Sequence, residues 1–192
     1  MDRIDHVLST QRLDRIVDYS PEELVLTVQA GVRLGDIERL TAAKGQMLAF
    51  EPPNWTRLLS SRGEPTIGGV LGANLSGPRR LRAGAARDHF LGFEAVSGRG
   101  EMFKAGGKVV KNVTGYDLMK LMAGSWGTLA ILTEVTLKVL PAPKAELTLL
   151  LFGLPDVRAS EAMAVAVNGP FEVSGAAHLP TYAARARPLK AE

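Results

Sequence analysis

The chain has 192 residues, 46% of them hydrophobic, which is enough to bury a core in one domain or slightly more. Its 23 basic and 20 acidic residues leave a net charge of +3. The densest basic patch, Arg79, Arg80, Arg82 and Arg87, has no stacking aromatics between its members, which argues against nucleic acid as a partner. With no cysteine, the chain itself can hold no disulfide framework, iron–sulfur cluster, thiolate zinc site or cysteinyl cofactor link.

The N-terminus shows no basic–apolar–small signal pattern, and no apolar run approaches membrane-spanning length. The expected location is cytoplasmic, with contact to the inner membrane only through partners. In chain order, Arg15–Tyr19 reads as a strand and Ser20–Glu23 as a turn. Leu24–Ala30 is nearly continuous in apolar residues and β-rich, a buried strand. Leu34–Ala43 carries Leu34, Ile37, Leu40 and Thr41 at helical spacing, and Gly45 stands where a helix-ending glycine belongs. Met47–Phe50 is expected as a short strand, and Glu51–Trp55 as a stiff loop whose Trp55 covers the core.

Gly63–Asp88 (GEPTIGGVLGANLSGPRRLRAGAARD) is poor in bulky side chains and crowded with glycine. Thr66 can cap a short helix on which Gly68, Gly69 and Gly72 leave one side bare, and Asn74–Pro78 forms a return loop. Bare backbone of this kind either approaches a ligand, a phosphate at the helix N-terminus being the usual one, or packs tightly against protein. Glycine content alone leaves both open and leans towards packing.

Phe90–Ser97 and Glu101–Ala105 read as a hairpin joined by Gly98-Arg99-Gly100, with Lys108–Lys111 continuing the sheet. Gly106-Gly107-Lys108 lacks the Ser or Thr and the leading glycine of a nucleotide-hydrolysing loop, and the glycines do not follow the dinucleotide spacing GxGxxG. Tyr116–Ala123 is expected as a helix with Leu118, Leu121 and Met122 inward, ended by Gly124. Leu129–Leu140 is a strong strand in which Glu134 interrupts the apolar pattern. Leu147–Phe152 reads as a further strand, Pro155–Val167 as a helix and Phe171–His178 as a strand, with a frayed tail from Pro180.

The succession EPTIGG…ANLSGPRR…GAARD, followed by GGKVVKNVTGYDLMKLMAGSWGTLAILTEVTLKVLP, resembles the FAD-binding domain of the vanillyl-alcohol-oxidase/PCMH superfamily. Within it, the resemblance is closest to the FAD-binding subunits of bacterial glycolate oxidases. It implies an α+β fold, a PCMH-type domain with a mainly antiparallel sheet flanked by helices, and FAD as cofactor. Thr66, Gly68 and Gly69 match the family's turn beside the cofactor. Asn74, Ser76 and Gly77 match its loop along the diphosphate and flavin, and Gly84 and Ala85 its next small-residue contact. Ile131 matches a position whose backbone meets the cofactor, and Glu134 the common acid of that strand. Lys111-Asn112 and Gly115–Asp117 are carried over as architecture.

The resemblance also implies partners, a larger homologous flavin subunit and an iron–sulfur subunit, serving oxidation of glycolate to glyoxylate. It divides the chain into an FAD-binding domain over residues 1–145 and the start of a truncated C-terminal domain over 146–192. The family's glycine-rich diphosphate loop is expected upstream of the segment that begins here, leaving the first subdomain incomplete. No catalytic residue is assigned, because His6, His89 and His178 are scattered, with no metal spacing and no nucleophile beside them. His89 is expected at the surface or at a helix start.

Overall fold

The computed structural model describes residues 7–56, 59–60, 63–107 and 116–186. Its centre is a five-stranded sheet in the order β1 (Ile16–Ser20), β2 (Val25–Gln29), β6 (Ala130–Lys138), β4 (Phe90–Ser97), β5 (Met102–Gly106), with every neighbour antiparallel. The helices are α1 (Leu34–Ala42), α2 (Ile67–Gly72), α3 (Arg80–Ala83), α4 (Leu118–Met122), α5 (Asp156–Asn168) and α6 (Thr181–Ala186). The two-residue strands β3 (Gln46–Met47) and β7 (Leu140–Pro141) pair apart from the main sheet. This is the α+β, mainly antiparallel architecture expected.

Strand periodicity explains the layering. Leu26 and Val28 on β2 point to the core, while Thr27 faces the other way and shares a hydrogen bond with Thr136 Oγ1 at 3.0 Å. On β6 the core residues are Ala130, Leu132, Val135 and Leu137, a spacing that breaks alternation between 132 and 135. A β-bulge absorbs the extra residue: Glu94 pairs with Glu134 but Ala95 pairs with Leu132, and Thr133 Oγ1 donates to the Glu94 carbonyl at 3.1 Å. Both halves of the strand therefore present their apolar side chains to the same core. Leu34 and Ile37 of α1, Ile67, Val70 and Leu71 of α2, and Met119 and Met122 of α4 complete that core.

Caps and turns follow the sequence. Asp117 Oδ1 accepts from the Lys120 amide at 3.2 Å to start α4, and Gly124, at φ +83°, ends it. Gly100, at φ +78°, closes the β4–β5 hairpin.

Several expectations are corrected. Met47–Phe50 is a strand only at its first residue, because Leu48 and Phe50 reach the core from a turn. Trp55 is 42% exposed and covers little. On α4, Met119 takes the inward place expected of Leu121, which is exposed. Leu147–Phe152 and Phe171–His178 form no strand, since no neighbouring strand takes their backbone groups, and the tail contains α6 before the described residues end. Lys108–Lys111, Asn112 and Gly115 lie outside the described residues.

Candidate functional site

The glycine-rich stretch begins with a short β-bridge between Thr66 and Arg33 and then turns into α2. Thr66 caps that helix as its sequence suggests, Oγ1 accepting from the Gly69 amide at 3.4 Å. The other first-turn amides are also spent on protein: Ile67 N–H donates to Val32 O at 3.0 Å, and Gly68 N–H to Ala30 O at 2.8 Å. Of the two uses left open for this bare backbone, these first-turn amides serve packing.

What the glycines provide is a wall. Gly68 lies so close to β2 that a Cβ would stand 2.8 Å from both Cβ and O of Ala30, so its missing side chain serves packing. A Cβ on Gly69 would meet only its own cap at ordinary contact distance, and one on Gly72 would meet nothing within 4 Å. These two open onto a cavity of about 320 Å³. Ser125, Trp126, Gly127 and Ile131 also line it, as do Ala30, Ala130 and Leu132.

The loop after α4 is tied to the end of α2. Gly124 N–H donates to Leu71 O at 3.1 Å, and Trp126 N–H to Gly72 O at 2.8 Å, which satisfies carbonyls the helix cannot satisfy itself. Trp126 is held at φ +56° and is 73% exposed. Among the described residues no carboxylate or guanidinium lines the cavity, which suits a planar ring or sugar face. Its volume is at the low end for ligand pockets, room for part of a large ligand and not the whole of one. A second cavity, about 360 Å³ beside α1 and β3, is bordered by the carboxylates Glu38 and Glu51 and is ill suited to an anion.

Next to the wall, the return loop forms a knot. Asn74 Oδ1 accepts from Arg87 N–H at 3.1 Å, and Ser76 Oγ from Ala86 N–H at 2.9 Å. Gly77 N–H donates to Phe50 O at 2.9 Å, with no room for a Cβ against the Glu51 carbonyl. Gly84, at φ +88°, leads to Ala85, whose N–H donates to Asp88 Oδ2 at 2.9 Å. Beneath the knot, His89 is buried at 2% exposure at the end of a helical turn, against the surface or helix-start position expected for it. Its Nε2 donates to Ala83 O at 2.8 Å, which leaves Nδ1 as a buried lone pair without a partner. Its ring packs 5.3 Å from that of Phe50, so it serves as a structural pin.

The residues singled out in the sequence thus fall into three groups. Gly68, Gly69 and Ile131 line the cavity, with Thr66 capping the helix behind it. Asn74, Ser76, Gly77, Gly84 and Ala85 make the adjoining knot, which follows directly on Ala73 at the cavity's lining. Glu134 stands apart, directly across the sheet from Glu94 and Gln29 on the face away from the core helices. Burial first, and then the Glu94 carboxylate, raise its pKa above the ordinary glutamate value, while Arg15 opposes them. Sequence reasoning left Trp126 and Ser125 unassigned; the turn-forming run Gly124–Gly127 between a helix and a strong strand is the signal that marks them.

Among the described residues no group of three or more His, Cys, Asp or Glu could hold a metal ion, and no helix is long and apolar enough to cross a membrane. The fold and the cavity define an α+β cofactor-binding domain with bare backbone at one wall of a cavity. Residues 3–106 match the model of the FAD binding domain, and the chain belongs to that family. FAD is the cofactor of the family, and the open wall at Gly69 and Gly72 fits part of it without displacing a side chain.

The chain is 46% identical over 134 residues to the glycolate oxidase subunit GlcE of Escherichia coli (strain K12), covering 70% of this chain and 37% of that protein. It is 40% identical over 144 residues to the glycolate oxidase subunit GlcD of Bacillus subtilis (strain 168), covering 75% of this chain and 29% of that protein. Among solved structures it is similar to alkyldihydroxyacetonephosphate synthase, at 25% identity and a TM-score of 0.55, over 70% of this chain and 23% of that one. The chain thus spans about a third of the length of the curated relatives it matches.

Proposed function

We propose that this chain is the FAD-binding subunit of a glycolate-oxidase-type complex and supports flavin-dependent oxidation of glycolate to glyoxylate. Residues 1–145 serve as the FAD-binding domain, and 146–192 as the start of a C-terminal domain. A larger homologous flavin subunit and an iron–sulfur subunit are its partners, and any contact with the inner membrane runs through them. The similarity to both GlcE and GlcD supports this reading. The observation that carries it is the bare wall of Gly69 and Gly72 on a cavity that Trp126 and Ile131 also line and that, among the described residues, no charged side chain lines.

When bound, FAD supplies a two-electron acceptor for the alcohol carbon, glycolate losing two electrons and two protons. This chain's part is binding and orientation. Gly69 and Gly72 permit close approach; Ala30, Ala130 and Leu132 keep the lining apolar and exclude water; Trp126 and Ile131 complete it. Neither described histidine is placed as a base: His89 is buried on Ala83 O, and His178 Nε2 lies 2.8 Å from Asp156 Oδ1. Neither the base nor the clamp for the substrate carboxylate is assigned among the described residues of this chain.

One observation favours a second reading, an assembly subunit that keeps the fold without the cofactor: the first-turn amides of α2 are spent on protein. Purification separates the two. A yellow protein with a flavin spectrum and close to one FAD per chain supports the first, whereas a folded colourless protein that takes up no added FAD supports the second. A stand-alone oxidoreductase acting on another 2-hydroxy acid would turn over D-lactate or a similar acid in the absence of any partner subunit.

A further inference from the structure

Three points of the C-terminal segment converge on one short stretch next to the cofactor loop. Glu146 Oε1 lies 2.5 Å from Arg79 Nη2. The Val167 carbonyl, in the last turn of α5, accepts from Arg82 Nη2 at 2.5 Å. Gly175 packs so tightly that a Cβ there would stand 3.1 Å from Pro78 Cβ.

On its other side Arg79 grips Glu51. Its Nε is 3.5 Å from Oε1, and its backbone N–H donates to Oε2 at 3.4 Å. Its side chain is 20% exposed, the least of the arginines whose ion pairs lie among the described residues, so these charges are screened less than those of a free surface pair. Glu51 follows Phe50, whose carbonyl holds Gly77 and whose ring packs on His89. The guanidinium thus joins the chain at residue 51, the loop at residue 79 and the segment at residue 146.

We propose that Arg79 is a positioning residue that couples the C-terminal segment to the cofactor loop: with Glu146 engaged, Asn74–Ala85 is held in the conformation in which it follows on from Ala73 at the cavity's lining. This rests on the reading that the loop borders bound FAD. Anything that draws Glu146 away loosens the loop and weakens cofactor binding without touching the cavity.

The test substitutes Glu146, whose side chain is 59% exposed and whose loss does not threaten the core. In the full chain without flavin, Glu146→Gln is expected to speed amide hydrogen exchange across Asn74–Asp88 about fivefold while β2, β4 and β6 exchange as before. FAD titration is expected to give a Kd raised about three- to tenfold, with Glu146→Asp recovering part of the loss. Unchanged exchange across Asn74–Asp88 overturns the coupling, and so does uniformly faster exchange, which reports general destabilisation. If the unsubstituted chain takes up no FAD, the cofactor reading fails, and the exchange comparison still decides the coupling.

Discussion

A single methyl group distinguishes two kinds of glycine on the same helix turn. At Gly68 an added Cβ would press on the Ala30 backbone at 2.8 Å, and neither element can withdraw without opening the core between β2 and α2. Gly68→Ala is therefore expected to destabilise the fold by about 1–3 kcal/mol, seen as a melting temperature lower by roughly 2–4 °C per kcal/mol. At Gly72 the same methyl enters open space. Gly72→Ala should leave the fold as stable as before or firmer by about 0.5–1 kcal/mol, because alanine loses less backbone entropy in a helix. Its cost should fall on the ligand, with FAD affinity down about tenfold, or about 1.4 kcal/mol. Thermal melts and flavin titration of the two variants measure both effects. Wild-type affinity in Gly72→Ala would show that the cofactor does not use this wall.

At the scale of the element, the sheet carries an unfavourable arrangement in its outer face. Glu94 and Glu134 stand directly opposite on neighbouring strands, and like charges in such a pair repel. The pKa of Glu134 is raised by burial and by Glu94, so between the ordinary glutamate value and its raised value the folded chain holds a proton that the unfolded chain has released. Stability therefore falls as pH rises through that window; the penalty is complete above it and absent below. Glu134→Gln removes the penalty. Its urea midpoint is expected to exceed that of the unsubstituted protein at neutral and higher pH, the gap narrowing as pH falls towards the ordinary glutamate pKa of about 4.3. Arg15→Ala should have the opposite effect, since Arg15 favours the charged form.

Most elements of the sheet were legible because their signals are local. Continuous apolar β-formers marked β2, a Gly-Arg-Gly turn marked the β4–β5 hairpin, and helical spacing marked α1. The strands expected at 147–152 and 171–178 failed for a non-local reason: apolar β-branched and leucine-rich runs favour extension, but only a neighbour makes a strand. His89 illustrates the same limit. Nothing beside it in sequence indicates that Phe50 and the Ala83 carbonyl enclose it. The candidate site was legible as a bare stretch of backbone, whereas the spending of its first-turn amides on Val32 and Ala30 depends on contacts more than thirty residues away along the chain.

For the whole molecule, the largest departure from ordinary surface chemistry is the segment that follows the sheet. Leu147, Leu149 and Leu151 are 96%, 79% and 61% exposed, with alternate spacing in a stretch that pairs with no strand among the described residues. A row of apolar side chains beside unpaired backbone groups is an adhesive edge. Because so little of these side chains is buried, replacing all three with serine should change fold stability by no more than about 0.5 kcal/mol per site. The chain's solution behaviour should change much more: light scattering on a concentration series is expected to show self-association of the unsubstituted chain and a marked decrease in the triple variant. Glu146 is retained in that variant, so its flavin content and the exchange rates of the Asn74–Asp88 loop should stay at their original values. Loss of flavin together with the association would mean that the leucines, and not Glu146, hold the segment against the cofactor loop. A chain that is monomeric at every concentration with its leucines in place would show that this edge is shielded by its own backbone geometry.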